Sequence, residues 1–161
     1  MNLSIGFERP LEFLAGDRRL TTRLISLWQG SRLGSEPFVR ADLFLDSLAE
    51  DVLRDCCIVE ITDNGECQLH RIGESLGHDS GLDCETTRAA DLPSKSLLAM
   101  AVRRLKDACT FGAPILDEGE VQAESGKVMR FRSIVLPLCD DRGRTVHFLA
   151  AARYREKIAA T

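Results

Sequence analysis

The sequence holds six cysteines and three histidines, residue types that proteins use for metal binding, redox chemistry and nucleophilic catalysis. The cysteines lie at positions 56, 57, 67, 84, 109 and 139, and no two of them form a C-x-x-C pair. The histidines, His70, His78 and His147, do not supply a zinc-finger spacing. Adjacent Cys56 and Cys57 point to opposite faces of a strand, which suits neither a shared disulfide nor a chelate. The pattern predicts no metal site and free thiols that serve as small buried hydrophobes.

No catalytic motif accompanies these residues in the sequence: a nucleophile elbow, a phosphate-binding loop and H-E-x-x-H are all absent. His78 and Asp79 are neighbours, but adjacent side chains seldom face each other, so we predict no catalytic role for them. His70 and His147 are the only histidines on predicted strands. They leave one alternative open, a small α+β-cup enzyme of the isomerase or dehydratase type. Such an enzyme requires a histidine or carboxylate of perturbed pKa inside the cup.

The composition is that of a globular protein of one domain. The chain has 161 residues, of which 44% are hydrophobic and 29% charged, with a net charge of −4. It has no basic block, which argues against binding to nucleic acid or to an anionic membrane surface. No apolar run approaches the roughly 20 residues of a spanning helix, and the N-terminus lacks a signal-peptide pattern. We therefore expect a cytoplasmic protein without membrane insertion.

The strands of the C-terminal hairpin give the clearest pattern. Residues 128–138 and 145–152 are rich in β-branched and apolar side chains, and Gly143 supplies the positive φ of the turn between them. Apolar residues fall on both parities, which predicts that both faces are covered and that the hairpin lies mid-sheet. Residues 55–61 and 66–72 form a second predicted hairpin around Asp63-Asn64-Gly65. The more polar residues 115–124 read as an edge strand.

Three helical segments are predicted around these strands. The first spans residues 17–29, whose apolar stripe of Leu20, Leu24, Leu27 and Trp28 suits core packing and a dimer interface equally, and we expect a homodimer. A short helix begins at Asp46. The third spans residues 94–109 with Lys95, Arg103, Arg104 and Lys106 on a solvated face, while residues 77–93 are irregular. The predicted organisation is an N-terminal arm (1–16), a single domain (17–156) and a C-terminal tail (157–161).

The order of elements, two helices, two strands, a helical segment and three strands, resembles a PAS domain. Four motifs resemble a stand-alone PAS-type family, typical of alphaproteobacteria and first catalogued as a domain of unknown function. They are Trp28, Arg40-Ala41-Asp42, Arg71-Ile72-Gly73 and Leu136-Pro137-Leu138. The resemblance covers roughly residues 20–155. It implies an α+β fold, a PAS-like five-stranded antiparallel sheet with flanking helices and an N-terminal helix. In that sheet the first strand lies beside the last, with Val59 near Phe148.

The resemblance also implies a function. It implies a non-enzymatic sensory or regulatory module of bacterial signal transduction, which binds a small ligand or a protein partner and passes a change through the sheet. Flavin-binding PAS relatives carry an Asn-Cys-Arg-Phe motif, whereas this chain has Leu82-Asp83-Cys84-Glu85. Haem-binding relatives carry a histidine on the long helix, whereas residues 94–109 contain none. We therefore predict no cofactor and a colourless protein.

Arg71 is the candidate ligand-binding residue of the second strand, with His70 and Asp42 as its companions. A buried guanidinium requires an acceptor, and Asp42 is the candidate because the two motifs recur together in the family pattern. In one interpretation Arg71 holds the connecting segment that contains Arg40-Ala41-Asp42 against the sheet edge, or it extends into water. In the other it binds a carboxylate or phosphate ligand at the mouth of the cup.

Overall fold

A single antiparallel sheet organises the computed structural model, which describes residues 15–32, 38–81, 87–123 and 125–158. Its strands are β1 (Cys56–Ile61), β2 (Cys67–Ile72), β3 (Thr87–Arg88), β4 (Ile115–Gln122), β5 (Val128–Cys139) and β6 (Thr145–Glu156). Their spatial order is β3-β2-β1-β6-β5-β4. The five longer strands are the predicted ones, and the two-residue β3 adds a sixth at one edge. The predicted arm lies almost entirely outside the described residues, as do Cys84 with its flanking residues and most of the C-terminal tail.

The first strand lies beside the last, as a PAS-like sheet requires. β1 pairs with β6 with Val59 opposite Phe148, and on its other side it pairs with β2. The central position of the C-terminal hairpin is confirmed as well, because β6 lies between β1 and β5 while β4 takes the edge. The fold is therefore the predicted PAS-like α+β architecture.

The turn between β5 and β6 is held by Asp140. Its carboxylate accepts hydrogen bonds from the backbone N–H groups of Arg142 and Arg144 and from Arg144 Nε, each at 2.9 Å. These bonds, chiefly the one from the Arg144 backbone, hold the pKa of Asp140 below its ordinary value. Gly143 adopts a φ of +81°, which is the conformation expected from the sequence.

The helices are α1 (Ala15–Ser31), α2 (Ala41–Asp46), α3 (Glu50–Leu53), α4 (Glu74–Ser80), a 3₁₀ turn (Ala89–Asp91), α5 (Leu97–Ala101) and α6 (Leu105–Phe111). The short helix predicted to begin at Asp46 begins at Glu50 instead, as α3 with Val52 buried. Asp46 ends a separate helix, α2, which places Phe44 in the core at 1% exposure. The irregular stretch predicted from residue 77 overlaps α4, which ends at Gly81 with a φ of +70°. No helix in the described part of the chain is long and apolar enough to cross a membrane.

The single helix predicted for residues 94–109 is broken in two. Arg103 N–H bonds to Met100 O and Leu105 N–H to Val102 O, both i→i−3 contacts that tighten the chain between α5 and α6. The apolar stripe is preserved across the break, with Ala101, Val102 and Leu105 all buried. The apolar stripe therefore predicted correctly which residues are buried, but it gave no indication of the break between α5 and α6.

Two cores lie on opposite faces of the sheet. On one face α4, α5 and α6 cover a cluster that includes Val59, Leu69 and Phe148, and we call the space between these helices and the sheet the cup. On the other, which we call the outer face, α1, α2 and α3 cover a cluster that includes Leu136 and Leu149.

The N-terminal helix packs against its own sheet. Leu20, Leu24 and Trp28 are 0–4% exposed within the outer-face core, which confirms core packing for these three residues. Leu27 was predicted on the same stripe, but it is 37% exposed, and Ile25 is buried instead. The difference arises because the helix is turned so that positions 20, 21, 24, 25 and 28 face the sheet.

Candidate functional site

Buried apolar side chains line the interior of the cup. Phe148 is 1% exposed there, and Leu69 and Leu98 of the same cluster are fully buried. Buried apolar side chains of this kind pack closely in a protein interior. The cleft described on this side of the sheet lies at the margin of the cup.

An open cleft of about 460 Å³ lies at that margin, between the β2–β3 edge and the α5–α6 helices. The lining residues are Glu66, Cys67, Arg88, Ala89, Ala90, Leu92, Ala99, Val102, Arg103, Leu105 and Lys106. The volume falls within the range of about 300–1,000 Å³ that is usual for small-molecule sites. The break between α5 and α6 shapes the cleft, because Val102 and Arg103 belong to it.

The floor of the cleft is apolar, and its charged rim is largely paired. Arg103 binds Asp117 through Nε and one terminal nitrogen, each at 2.9 Å, and its guanidinium lies over the Phe131 ring at 5.0 Å. Arg88 binds Asp91 at 2.9 Å, and this hydrogen bond raises the pKa of the guanidinium. Lys106, by contrast, makes no ion pair with any other described residue. The cleft therefore offers apolar contact and one uncompensated cation.

Cys56 and Cys57 have the buried role predicted for the thiols, whereas Cys67 and Cys109 do not. Burial raises the pKa of Cys57 to about 12, and burial likewise raises the pKa of Cys56. Cys67 is half-buried in the cleft, where burial and then the neighbouring Cys109 raise its pKa. Cys109 itself is exposed. A raised pKa lowers the thiolate fraction, so Cys67 is a poor nucleophile.

A β-bulge places His70 and Arg71 on the same face of the sheet. Ile58 pairs with Arg71 and the next residue, Val59, pairs with Leu69, so His70 is the extra residue of β2. His70 Nε2 lies 2.6 Å from Glu60 Oε2, and His147 Nε2 lies 3.9 Å from the same oxygen.

This cluster lies on the outer face, because Glu60 and His147 alternate with Val59 and Phe148, which point into the cup. Both candidate histidines of the enzyme alternative are therefore placed on the face opposite the cup. No group of three or more His, Cys, Asp or Glu residues within the described ranges is arranged to hold a metal ion.

The predicted contact between Arg71 and Asp42 is wrong. Asp42 is exposed in the first turn of α2 and binds Arg40 at 2.8 Å. Arg71 is exposed on β2 and makes no ion pair with another described residue. Asp42 has a cation only two residues away along the chain, and an exposed guanidinium is satisfied by water, so neither side chain needs the other.

Sequence reasoning missed the residues of the cleft. Arg103 and Lys106 were placed on a solvated helix face, and Cys67 and Leu92 carried no signal. The basic cluster on residues 94–109 was the signal available. Only the packing of that segment against β2 and the 3₁₀ turn shows that two of its cations border a cleft.

Comparison with known proteins returns solved structures alone: no family model and no curated protein matches the chain. A light-oxygen-voltage domain studied with a flavin analogue is 13% identical, with a TM-score of 0.47 over 71% of this chain and 84% of that one. The light-state structure of the blue-light photoreceptor Aureochrome1 LOV is 13% identical, with a TM-score of 0.45 over 66% of this chain and 84% of its own. The Rhodobacter sphaeroides LOV protein is 10% identical, with a TM-score of 0.42 over 62% and 57%. Similarity this distant carries no argument about ligand or activity.

Proposed function

We propose that this protein is a non-enzymatic regulatory module of the PAS type, which binds a small ligand in the marginal cleft and acts on a protein partner. The observation that supports the proposal is the cleft itself, an opening of about 460 Å³ beside the buried core of the cup. One wall of the cleft belongs to β2, and β2 pairs with the central strand β1. A ligand that shifts Cys67 therefore acts directly on the sheet.

The chemistry of the cleft favours binding over catalysis. Its ionisable lining residues are Glu66, Cys67, Arg88, Arg103 and Lys106. Both arginines are held by carboxylates, and the thiol of Cys67 has a raised pKa, so no activated nucleophile with an adjacent base is present among them. The two histidines that would support an isomerase or dehydratase lie on the outer face.

The proposed contact surface for a partner is the part of the outer side that α1, α2 and α3 leave exposed. His70, which contacts Glu60, and Arg71 are exposed there, and Leu27 is exposed on α1. A homodimer or a separate signalling protein is the proposed occupant of this face. The resemblance to the alphaproteobacterial family supports a role in bacterial signal transduction. In this proposal Arg71, His70 and Asp42 serve a partner or an anionic ligand on the outer side of the sheet.

A fragment screen followed by nuclear magnetic resonance tests the ligand proposal. We expect binding fragments to shift the amide signals of Ala89, Leu92 and Val102, and the shifts to extend through Leu69 to Val59 across the β1–β2 pairing. The replacement Ala90→Trp, at an exposed position on the cleft rim, should abolish these shifts without loss of fold, because the indole occupies the opening. Fragments that shift only signals away from the cleft would contradict the proposal.

The replacement Arg71→Met tests whether Arg71 has a structural role. We expect its free energy of unfolding in urea to stay within about 0.5 kcal/mol of the native value, because the guanidinium is exposed. The matched control is Arg153→Met: Arg153 binds the mostly buried Asp55 at 2.8 Å, and its loss should cost about 2 kcal/mol. Equal losses of unfolding free energy in the two variants would show that Arg71 holds the connecting segment to the sheet edge. Arg71 would then be excluded from the proposed contact surface.

A further inference from the structure

We infer that the cleft ligand is a small amphiphilic monoanion, an apolar body carrying a single carboxylate. The inference rests on the proposed function, since it names the ligand class of the same cleft. The inference has three requirements. The floor (Leu92, Val102 and Leu105) must bind an apolar body, and the helix wall, which carries Lys106, must favour an anion. The strand wall, which carries Glu66 and Arg88, must disfavour a second negative charge.

The floor meets the first requirement. Val102 and Leu105 are 9% and 7% exposed, and Leu92 is partly buried against the same cluster. These side chains present apolar surface at the bottom of an opening that water fills in the absence of a ligand. An aliphatic or aromatic body that displaces this water gains the free energy of apolar burial.

The helix wall meets the second requirement through Lys106. Arg104, on the same segment, binds Asp107, and Arg103 binds Asp117. Each of these guanidinium groups thus has a carboxylate from the chain itself, whereas Lys106 has none among the described residues. A lysine ammonium carries three donors on a flexible stem, so it can reach a carboxylate that lies over the floor.

The strand wall meets the third requirement because Arg88, the cation on its side of the cleft, is already paired with carboxylates. Arg88 lies 2.9 Å from Asp91 and 4.0 Å from Glu66, so one guanidinium faces two carboxylates. With Glu66 and Asp91 beside Arg88, this wall offers no unpaired cation to a second negative charge. A single carboxylate is therefore directed towards Lys106, and a dianion such as a phosphate monoester is disfavoured.

Two native thiols provide the measurement. Cys67 lines the cleft, whereas Cys109 is exposed and does not line it. Iodoacetamide labelling, read peptide by peptide by mass spectrometry at fixed pH, gives the accessibility of each thiol separately. The probes are decanoate and decanol, which share an apolar body and differ in charge, each used below the concentration at which it forms micelles or separates.

We expect decanoate to slow the labelling of Cys67 while the rate at Cys109 stays unchanged. Decanol should protect Cys67 about two- to fivefold more weakly, the ratio that one exposed ion pair supplies. Lys106→Gln should remove this preference. The matched control Lys95→Gln, an exposed lysine that does not line the cleft, should retain it.

The outcomes separate the ligand class from the proposed function. Equal protection by decanoate and decanol, or a preference that survives in Lys106→Gln, overturns the monoanion proposal but keeps a ligand-binding cleft. Failure of both probes to protect Cys67, together with fragment shifts in the cleft, overturns the amphiphilic class alone. Failure of both probes and of all fragments overturns the cleft as a binding site.

Discussion

The replacement Gly73→Ala should destabilise the protein by at least about 3 kcal/mol. An alanine Cβ at this position would lie 2.2 Å from the carbonyl oxygen of Leu53 and 2.4 Å from that of Arg54. Both are backbone atoms, so no side-chain rotation relieves the overlap. Gly73 must therefore move away, and its N–H would lose the 2.7 Å hydrogen bond to Cys56 O at the start of β1.

The effect should extend beyond residue 73. Ser75 and Leu76 donate backbone hydrogen bonds to Arg54 O at 3.0 Å, which ties the first turn of α4 to the end of α3. Displacing Gly73 disturbs these bonds together with the burial of Leu76, which is 0% exposed in the cup. The measurement is the free energy of unfolding in urea.

Gly30→Ala is the matched control. A Cβ at Gly30 has no other heavy atom within 4 Å, and the residue lies exposed near the end of α1. Alanine has the higher helix propensity, so this variant should be unchanged or more stable by about 0.5 kcal/mol. Similar stabilities of the two alanine variants would refute the close approach of the α3 and α4 segments at Gly73.

The replacement Trp28→Ala should cost about 3–5 kcal/mol. Trp28 is 4% exposed between α1 and the sheet, and its Nε1 donates a hydrogen bond to Pro137 O at 2.9 Å. The variant opens a cavity in the outer-face core and leaves that carbonyl without its donor. Both losses weaken the attachment of the N-terminal helix to β5.

Pro137 explains why this carbonyl is available. β4 begins at Ile115, which pairs with Val135, so Pro137 lies beyond the β4 pairing, and the next backbone contact is the bond from Cys139 N–H to Val39 O. Proline is tolerated in a strand where no partner needs its missing N–H. The indole of Trp28 supplies the donor for the Pro137 carbonyl.

Trp28→Phe separates packing from hydrogen bonding. It keeps most of the apolar contact but leaves Pro137 O unsatisfied, and it should cost about 1–3 kcal/mol in urea unfolding. Leu27→Ala is the control on the same helix, with an expected effect of within about 0.5 kcal/mol because the side chain is 37% exposed. If Trp28→Phe matches the native protein, the hydrogen bond makes no net contribution.

The sequence by itself determined the strands and their approximate positions in the sheet. Apolar residues on both parities of residues 128–138 predicted a central strand, because both of its faces are covered. The Asp63-Asn64-Gly65 and Asp140-to-Gly143 turns were recognised from residue type, and Gly65 and Gly143 do adopt φ values of +79° and +81°. These signals are local, since the backbone preference of a glycine or the alternation of a strand is set within a few residues.

Only the tertiary structure decided where the polar residues of interest lie. The bulge at His70 depends on the register between β1 and β2, and it moves His70 and Arg71 onto one face, the face opposite the cup. The break after α5 turns Arg103 towards Asp117, and the cleft forms where that segment meets β2 and the 3₁₀ turn. Each of these features depends on contacts between segments distant in the chain. An exposed charged side chain has many possible partners of similar free energy. Its residue type and its spacing along the chain therefore do not reveal which partner it contacts.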